Sequence, residues 1–218
     1  MIAHNLFQFW NSPEPPAEVA ALMDTWKADP DFVYRRFTEA DAEAYIAQRF
    51  EARTLAAYRA CAIPAMQADL FRYCALYEEG GVYVDADSEN GGNLAGFIAD
   101  APRGMLMTRE VRIANDFLFV RAARDPLYEK VIRQAVENIE QRISNNVWAV
   151  TGPAIMTRMY RTPEQRPWFD GFVVHPVQEV RKIVQFRHKL AYKSTGVDWR
   201  AGLAEGAASI FVDAPPPR

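Results

Sequence analysis

The sequence predicts an α/β domain in which a mostly parallel central sheet is flanked by helices. Three observations carry that expectation. Short β-rich runs alternate with stretches of helical periodicity through the first half of the chain, the order that builds parallel sheets. A glycine pair, Gly80-Gly81, then folds an apolar helix straight into an apolar strand. Of 218 residues, 50% are hydrophobic and 12% aromatic against 24% charged, so the chain can bury a core and is globular rather than disordered. A single domain over 1–212 is expected. The last residues, 213–218, of which four of six are Ala or Pro, read as a disordered tail.

Taken in order, Ile2 to Trp10 is rich in β-formers and is cut off by Asn-Ser-Pro, which gives a first strand. Pro15 and Pro16 suit the opening turn of a helix with Val19, Leu22, Met23 and Trp26 at helical spacing. Phe32 to Phe37 is a second strand. Thr38, with Glu39 and Asp41 behind it, starts a helical stretch running to about Tyr58. Pro64 opens the central helix, and Val82 to Val84 is the strand that follows it. Past a glycine-containing loop from Asn90 to Gly96, Gly104 to Thr108 and Asp116 to Val120 read as strands. Asp125-Pro126 begins an amphipathic helix to about Arg142, and Thr151-Gly152-Pro153 begins a shorter one. Gly171 to His175 is a last strand, followed by a basic patch of Arg181, Lys182, Arg187, His188, Lys189 and Lys193.

Charge and cysteine usage narrow the function classes. A formal net charge of −3 and a pI near 5.7 give no field that would gather nucleic acid. Cys61 and Cys74 do not make a disulfide framework, and Cys74 lies in an apolar helical run, so a reducing compartment is expected. The N-terminal residues lack the pattern of a signal peptide, and no window approaches 18 apolar residues, so the expectation is a cytoplasmic protein, with peripheral contact at the inner face of a membrane left open.

Asp85 and Asp87 stand where the central strand runs out. Strand side chains repeat every two residues, which places both carboxylates on one face and within reach of one ion. Hard oxygen donors of this kind suit Mg²⁺ or Mn²⁺, ions that commonly take one or two carboxylates and complete their shell with phosphate oxygens. The bland alternative is a polar turn, since Asp-x-Asp alone is common. Asp69 and Arg72, three apart on the central helix, are either an exposed ion pair or a rigid grip for hydroxyls and phosphate. Trp10, at the end of the first strand, is either core or a platform on which a base stacks at the C-terminal edge of the sheet. His4 and His175 have no companions at metal-ligand spacing.

The run Ala68-Asp69-Leu70-Phe71-Arg72, then Ala75-Leu76-Tyr77-Glu78-Glu79-Gly80-Gly81-Val82-Tyr83-Val84-Asp85-Ala86-Asp87, resembles the signature of glycosyltransferases whose sugar-binding region contains a DXD motif. That family includes yeast-type initiating mannosyltransferases, bacterial capsule and lipopolysaccharide enzymes, and the glucosylating domains of clostridial toxins. Phe7-Gln8-Phe9-Trp10 is similar to its first strand, Asn115 to its Asn-containing motif, and Val150-Thr151-Gly152-Pro153 to its Thr-Gly-Pro element. The resemblance implies a GT-A fold, a nucleotide-diphosphate sugar donor and transfer with retention to a saccharide or lipid-linked glycan. It implies that Asp69 and Arg72 hold sugar and diphosphate, that Trp10 and Tyr83 line the nucleotide pocket, that Asn115 joins the donor contacts, that Asp85 meets ribose and metal, and that Asp87 binds Mn²⁺ or Mg²⁺ directly. Phe7 stands where the family usually has histidine, and the family's closing histidine and Ser-Trp element is stretched here. His188, Ser194 and Asp198 are therefore the candidates for a further metal ligand. Two rival readings follow from the same residues: a domain that binds the donor without turnover, and an aspartyl phosphotransferase of the haloacid dehalogenase type.

Overall fold

The structure, a computed structural model, describes residues 4–187, 189–194 and 209–212. In chain order its elements are β1 (His4–Phe9), α1 (Ala17–Lys27), β2 (Phe32–Phe37), α2 (Glu39–Arg49), α3 (Ala52–Ala60), α4 (Pro64–Glu79), β3 (Gly81–Val84), β4 (Ser88–Asn90), α5 (Leu94–Ile98), β5 (Gly104–Arg109), β6 (Arg112–Val120), α6 (Pro126–Glu140), α7 (Val147–Val150), α8 (Ala154–Arg161), β7 (Phe172–Pro176), α9 (Val177–Val180) and β8 (Val184–Phe186). Six strands form one sheet in the order β2-β1-β3-β6-β5-β7, and β4 pairs with β8 beside it. The β1–β2, β1–β3 and β5–β7 pairings are parallel, while β6 runs antiparallel to both β3 and β5. The expected mixed α/β layering, mostly parallel, is therefore present.

Alternation along the strands sorts the core onto two faces. Phe7, Phe9 and Tyr83 pack with the side carrying α2, α4, α6 and α8, while Leu6, Val82 and Val84 pack with Trp26, Leu94, Ile98 and Val180 on the other. Because α4 lies between the sheet and its neighbouring helices, nearly every residue from Met66 to Leu76 is buried. That burial includes Asp69 and Arg72, at 5% and 4% exposure, so the exposed-pair reading is excluded.

Four local expectations need correction. The stretch from Thr38 to Tyr58 is two helices, because Phe50 turns extended (φ −123°, ψ 163°) between them; no glycine or proline marks that break. The loop from Asn90 to Gly96 begins with β4 and ends in α5, and β4 owes its pairing to β8, a partner remote in sequence. The strand expected from Asp116 starts at Arg112 and forms a hairpin with β5 through Glu110, at φ 55°. Asp85 and Asp87 do not continue β3; they sit on a turn closed by the Ser88 N–H donating to the Asp85 carbonyl at 3.1 Å. The tail expected at 213–218 lies outside the described residues.

The α4–β3 junction depends on glycine at Gly81. Its φ is +105°, and a Cβ there would stand 2.4 Å from the Asn5 carbonyl oxygen on β1. Gly81→Ala is expected to cost about 2–4 kcal/mol in urea denaturation, from left-handed strain added to a backbone clash. A loss below 0.5 kcal/mol, on the order of an ordinary surface change, would contradict this account of the junction.

Candidate active site

A buried polar network fixes the floor of the site. Arg72 projects from α4 with its guanidinium stacked over the Tyr83 ring at 4.3 Å. Its Nε donates to the Ala68 carbonyl at 3.2 Å, one terminal nitrogen meets Asp69 Oδ1 at 3.2 Å, and the other meets Asp85 Oδ1 at 3.1 Å and also donates to the Asn115 carbonyl. Asp69 in turn accepts from Asn115 Nδ2 at 2.8 Å and from the Thr151 hydroxyl at 3.0 Å. The same Asn115 amide donates to the Tyr73 hydroxyl at 2.9 Å, and that hydroxyl donates to the Thr151 carbonyl at 3.1 Å. A charge taken from water at this depth survives only when paired and hydrogen-bonded, and these partners supply both conditions.

The network aims Arg72 and Asp85 into a cleft but holds Asp69 and Asn115 one layer behind it. Trp10, Asn11, Tyr83, Asp85, Asp87 and Arg72 are among the residues lining the cleft, whose volume is about 150 Å³. That is below the roughly 300 Å³ at which small-molecule clefts usually begin. Tyr192 and Lys193 belong to the lining: the Tyr192 ring meets the Trp10 indole edge-on at 5.3 Å, and the Glu18 carboxylate accepts the backbone N–H groups of Ala191 and Tyr192 at 2.9 and 2.8 Å.

Backbone contacts from four directions clamp the Asp85–Asp87 turn. Gln8 on β1 donates to the Asp85 carbonyl at 3.3 Å, and the Ser88 hydroxyl donates to it at 2.6 Å. The Asp85 N–H donates to the Asp116 carbonyl at 3.0 Å, and the Arg187 N–H to the Asp87 carbonyl at 2.8 Å. Ala86, between the two acids, is buried and packs with Val19 and Met23 of α1. The two carboxylates thus share one cleft through a turn rather than through strand alternation.

Both acids are met by cations from distant parts of the chain. Arg72 pairs with Asp85, and the Lys193 ammonium pairs with Asp87. Burial in the cleft floor, opposed by Arg72 and reinforced by Asp87 and Asp116, pushes the Asp85 carboxyl up to about 7, although a third of its side chain (33%) stays open to the cleft. Burial likewise raises the Asp69 carboxyl above its ordinary range, with Arg72 pulling the other way. Two hard carboxylates, each drawing a positive group toward itself, fit a divalent cation that completes its shell with ligand oxygens. Among the described residues no group of three or more His, Cys, Asp or Glu side chains could hold a metal by itself. Ser194 sits in the short turn Ala191–Ser194 and donates to the Ala191 carbonyl at 2.7 Å, away from the cleft lining, and His188 and Asp198 lie outside the described residues.

A second cleft, of about 450 Å³, has no lining residue in common with the first among the described residues but is joined to it through β6. The junction is an irregularity in β6: Leu106 of β5 pairs with Leu118, but Met107 pairs with Ala114, so residues 115–117 bulge out of that pairing. Bulges commonly re-aim side chains beside functional sites, and this one sends the Asn115 and Asp116 carbonyls toward Arg72 and Asp85. Sequence reasoning passed over Asp116, Tyr192 and Lys193 as individual contacts. Lys193 is 106 residues from its partner Asp87, so no local pattern carried the pairing.

Residues 3–101 match the glycosyltransferase sugar-binding region containing a DXD motif. Among solved structures, the glycosyltransferase PaToxG superposes with a TM-score of 0.57 at 15% identity, over 95% of this chain and 85% of that one. A glycosyltransferase involved in glycosylating the major capsid of PBCV-1 is more remote, with a TM-score of 0.44 and 10% identity over 79% of this chain and 81% of that one. No curated protein matches significantly. The PaToxG likeness establishes the GT-A fold, and the match to the DXD-containing sugar-binding region covers residues 3–101, the part of the chain that contains Trp10, Arg72, Tyr83 and both aspartates of the turn.

Proposed function

We propose that the protein transfers a sugar from a nucleoside-diphosphate donor, a UDP-sugar, to a saccharide or lipid-linked glycan, with retention of configuration and with Mn²⁺ or Mg²⁺ bound at Asp85 and Asp87. The observation that carries this reading is the clamped Asp85–Asp87 turn beside Arg72 on the floor of a cleft whose mouth holds Trp10. The base would lie against the Trp10 indole, an apolar face with a polar edge suited to stacking. Tyr83 would close the inner wall. A divalent cation there would neutralise the charge that grows on the departing diphosphate. Arg72, held rigid by Asp69 and Tyr83, adds positive charge from the protein side without having to reorganise. The acceptor hydroxyl oxygen bonds to the sugar C1 as the C1–O bond to the diphosphate breaks; the bonding electrons leave with the phosphate oxygen, which takes up the hydroxyl proton. Asp69 and Asn115 serve as anchors of Arg72 in this scheme, and a cytoplasmic setting on or near a membrane surface suits a lipid-linked acceptor. No helix among the described residues is long and apolar enough to cross a membrane.

A binding-only reading draws on the small cleft, in which Lys193 pairs with Asp87 and Tyr192 lies against Trp10, so that a donor would have to compete with both contacts. The phosphotransferase reading has no support in the family match or the fold.

Release of UDP from a panel of UDP-sugars, with and without Mn²⁺, tests the proposal. Asp87→Asn and Asp85→Asn are each expected to lower metal-dependent release about 100-fold or more while circular dichroism stays unchanged. Undiminished release in both variants sinks the assignment, and donor binding without release in the wild type moves it to the binding-only reading. The pH dependence has a defined sign. Asp85, raised to about 7, must lose its proton to meet a cation, so apparent Mn²⁺ affinity should fall about fivefold between pH 7 and 6 in a calorimetric titration. An affinity flat from pH 8 to 5 would contradict the role given to Asp85.

A further inference from the structure

The second cleft has the chemistry of a carbohydrate subsite. Trp148, 41% exposed, presents an indole at its edge. Its backbone is fixed from two sides. Asn146 Oδ1 accepts the Trp148 N–H at 3.0 Å, and Gly152 packs so closely that a Cβ there would stand 2.8 Å from the Trp148 Cα. The Thr-Gly-Pro element therefore has three separate jobs: Thr151 holds Asp69, Gly152 seats Trp148, and Pro153 lines the second cleft.

Asp116 and Arg109, joined as an ion pair, line the same cleft. Asp116 Oδ1 is withdrawn from solvent and has no hydrogen-bond partner among the described residues, the condition of an acceptor that waits for a donor. Arg112 is likewise paired, with Glu110 at 3.2 Å, so the cleft's two cations are both matched by carboxylates. Such a lining favours a neutral polyhydroxyl ligand over an anion. A pyranose fits it: its apolar face can lie on the indole, and its hydroxyls can donate to Asp116 and accept from Arg109.

Position supplies the rest. The backbone of the β6 bulge touches the proposed donor site directly, through the Asp116 carbonyl to Asp85 and the Asn115 carbonyl to Arg72, while the Asp116 and Asn115 side chains border the second cleft or stand behind it. We propose that this second cleft is the acceptor subsite and takes a terminal hexopyranose of a saccharide, with Trp148 as its platform and Asp116 and Arg109 as its hydroxyl partners. The assignment rests on the donor reading above for its direction of transfer, but the binding it asserts does not require a donor.

Saturation-transfer NMR on the full chain, with methyl hexopyranosides and disaccharides at millimolar concentration and with neither nucleotide nor metal present, tests it. At least one sugar is expected to bind. Trp148→Ala should weaken that binding about tenfold, and Trp148→Phe should restore most of it. Asp116→Asn should also weaken it, with melting temperatures kept for all three variants. A wild-type chain that shifts with UDP and Mn²⁺ but binds no saccharide overturns the acceptor assignment and leaves the donor reading standing. Saccharide binding insensitive to both Trp148→Ala and Asp116→Asn overturns it as well. Binding with the expected sensitivity, in a chain that ignores UDP and Mn²⁺, supports it and removes the donor reading instead.

Discussion

The structure depends on keeping one guanidinium charged inside the protein. Arg72 is nearly inaccessible to water, and its nitrogens face two carboxylates and two backbone carbonyls. These contacts tie α4 to three other pieces of chain: β6 through the Asn115 carbonyl, the turn after β3 through Asp85, and the end of α7 by way of Asp69 and Thr151. Removing one partner of such a cluster leaves an uncompensated charge in a low-dielectric setting, which is why the cluster acts as a unit. Its value to function is rigidity. The charge that would meet a diphosphate is already oriented before any ligand arrives, and it needs no reorganisation at the moment of reaction.

The second constraint is negative charge gathered at one point. Asp85, Asp87 and Asp116 crowd the turn, and the elevated Asp85 carboxyl reflects that crowding together with its burial. A fold selected for stability alone would dilute such a cluster. Here it is balanced by Arg72 from below and Lys193 from above, the latter reaching in from a segment tied down by Glu18. A site that attracts an ammonium to a carboxylate in this way also favours a metal ion there, and the competition between the two joins cation binding to the position of Tyr192 at the cleft mouth.

Much of the central fold was legible because local and global signals agree there. Pro64 at the helix start, the glycine pair at its end and a short apolar strand fix α4 and β3 without outside information, and the capped starts at Thr38 and Asp125 were equally readable. What escaped was whatever owes its form to distant partners. Strand β4 forms against β8, the helix break at Phe50 has no glycine or proline to announce it, and Asp85 and Asp87 share a turn because Gln8, Ser88, Asp116 and Arg187 hold them so. The candidate site was legible as a set of residue types and not as layers. Spacing put Asp69 and Arg72 on one helix face, but only the packing of α4 shows that Arg72 reaches the cleft while both oxygens of Asp69 are consumed behind it.

The proposed function requires that the Asp85–Asp87 turn, set by the Arg72 network, hold a divalent cation against a nucleoside diphosphate. Anomalous diffraction from crystals grown with Mn²⁺ and UDP tests it most directly. The account predicts a manganese peak within coordination distance of the Asp87 and Asp85 carboxylates, a base against Trp10, and a Lys193 ammonium withdrawn from Asp87. A well-ordered UDP bound elsewhere, or seated in this cleft with Lys193 still on Asp87 and no manganese beside it, would contradict it.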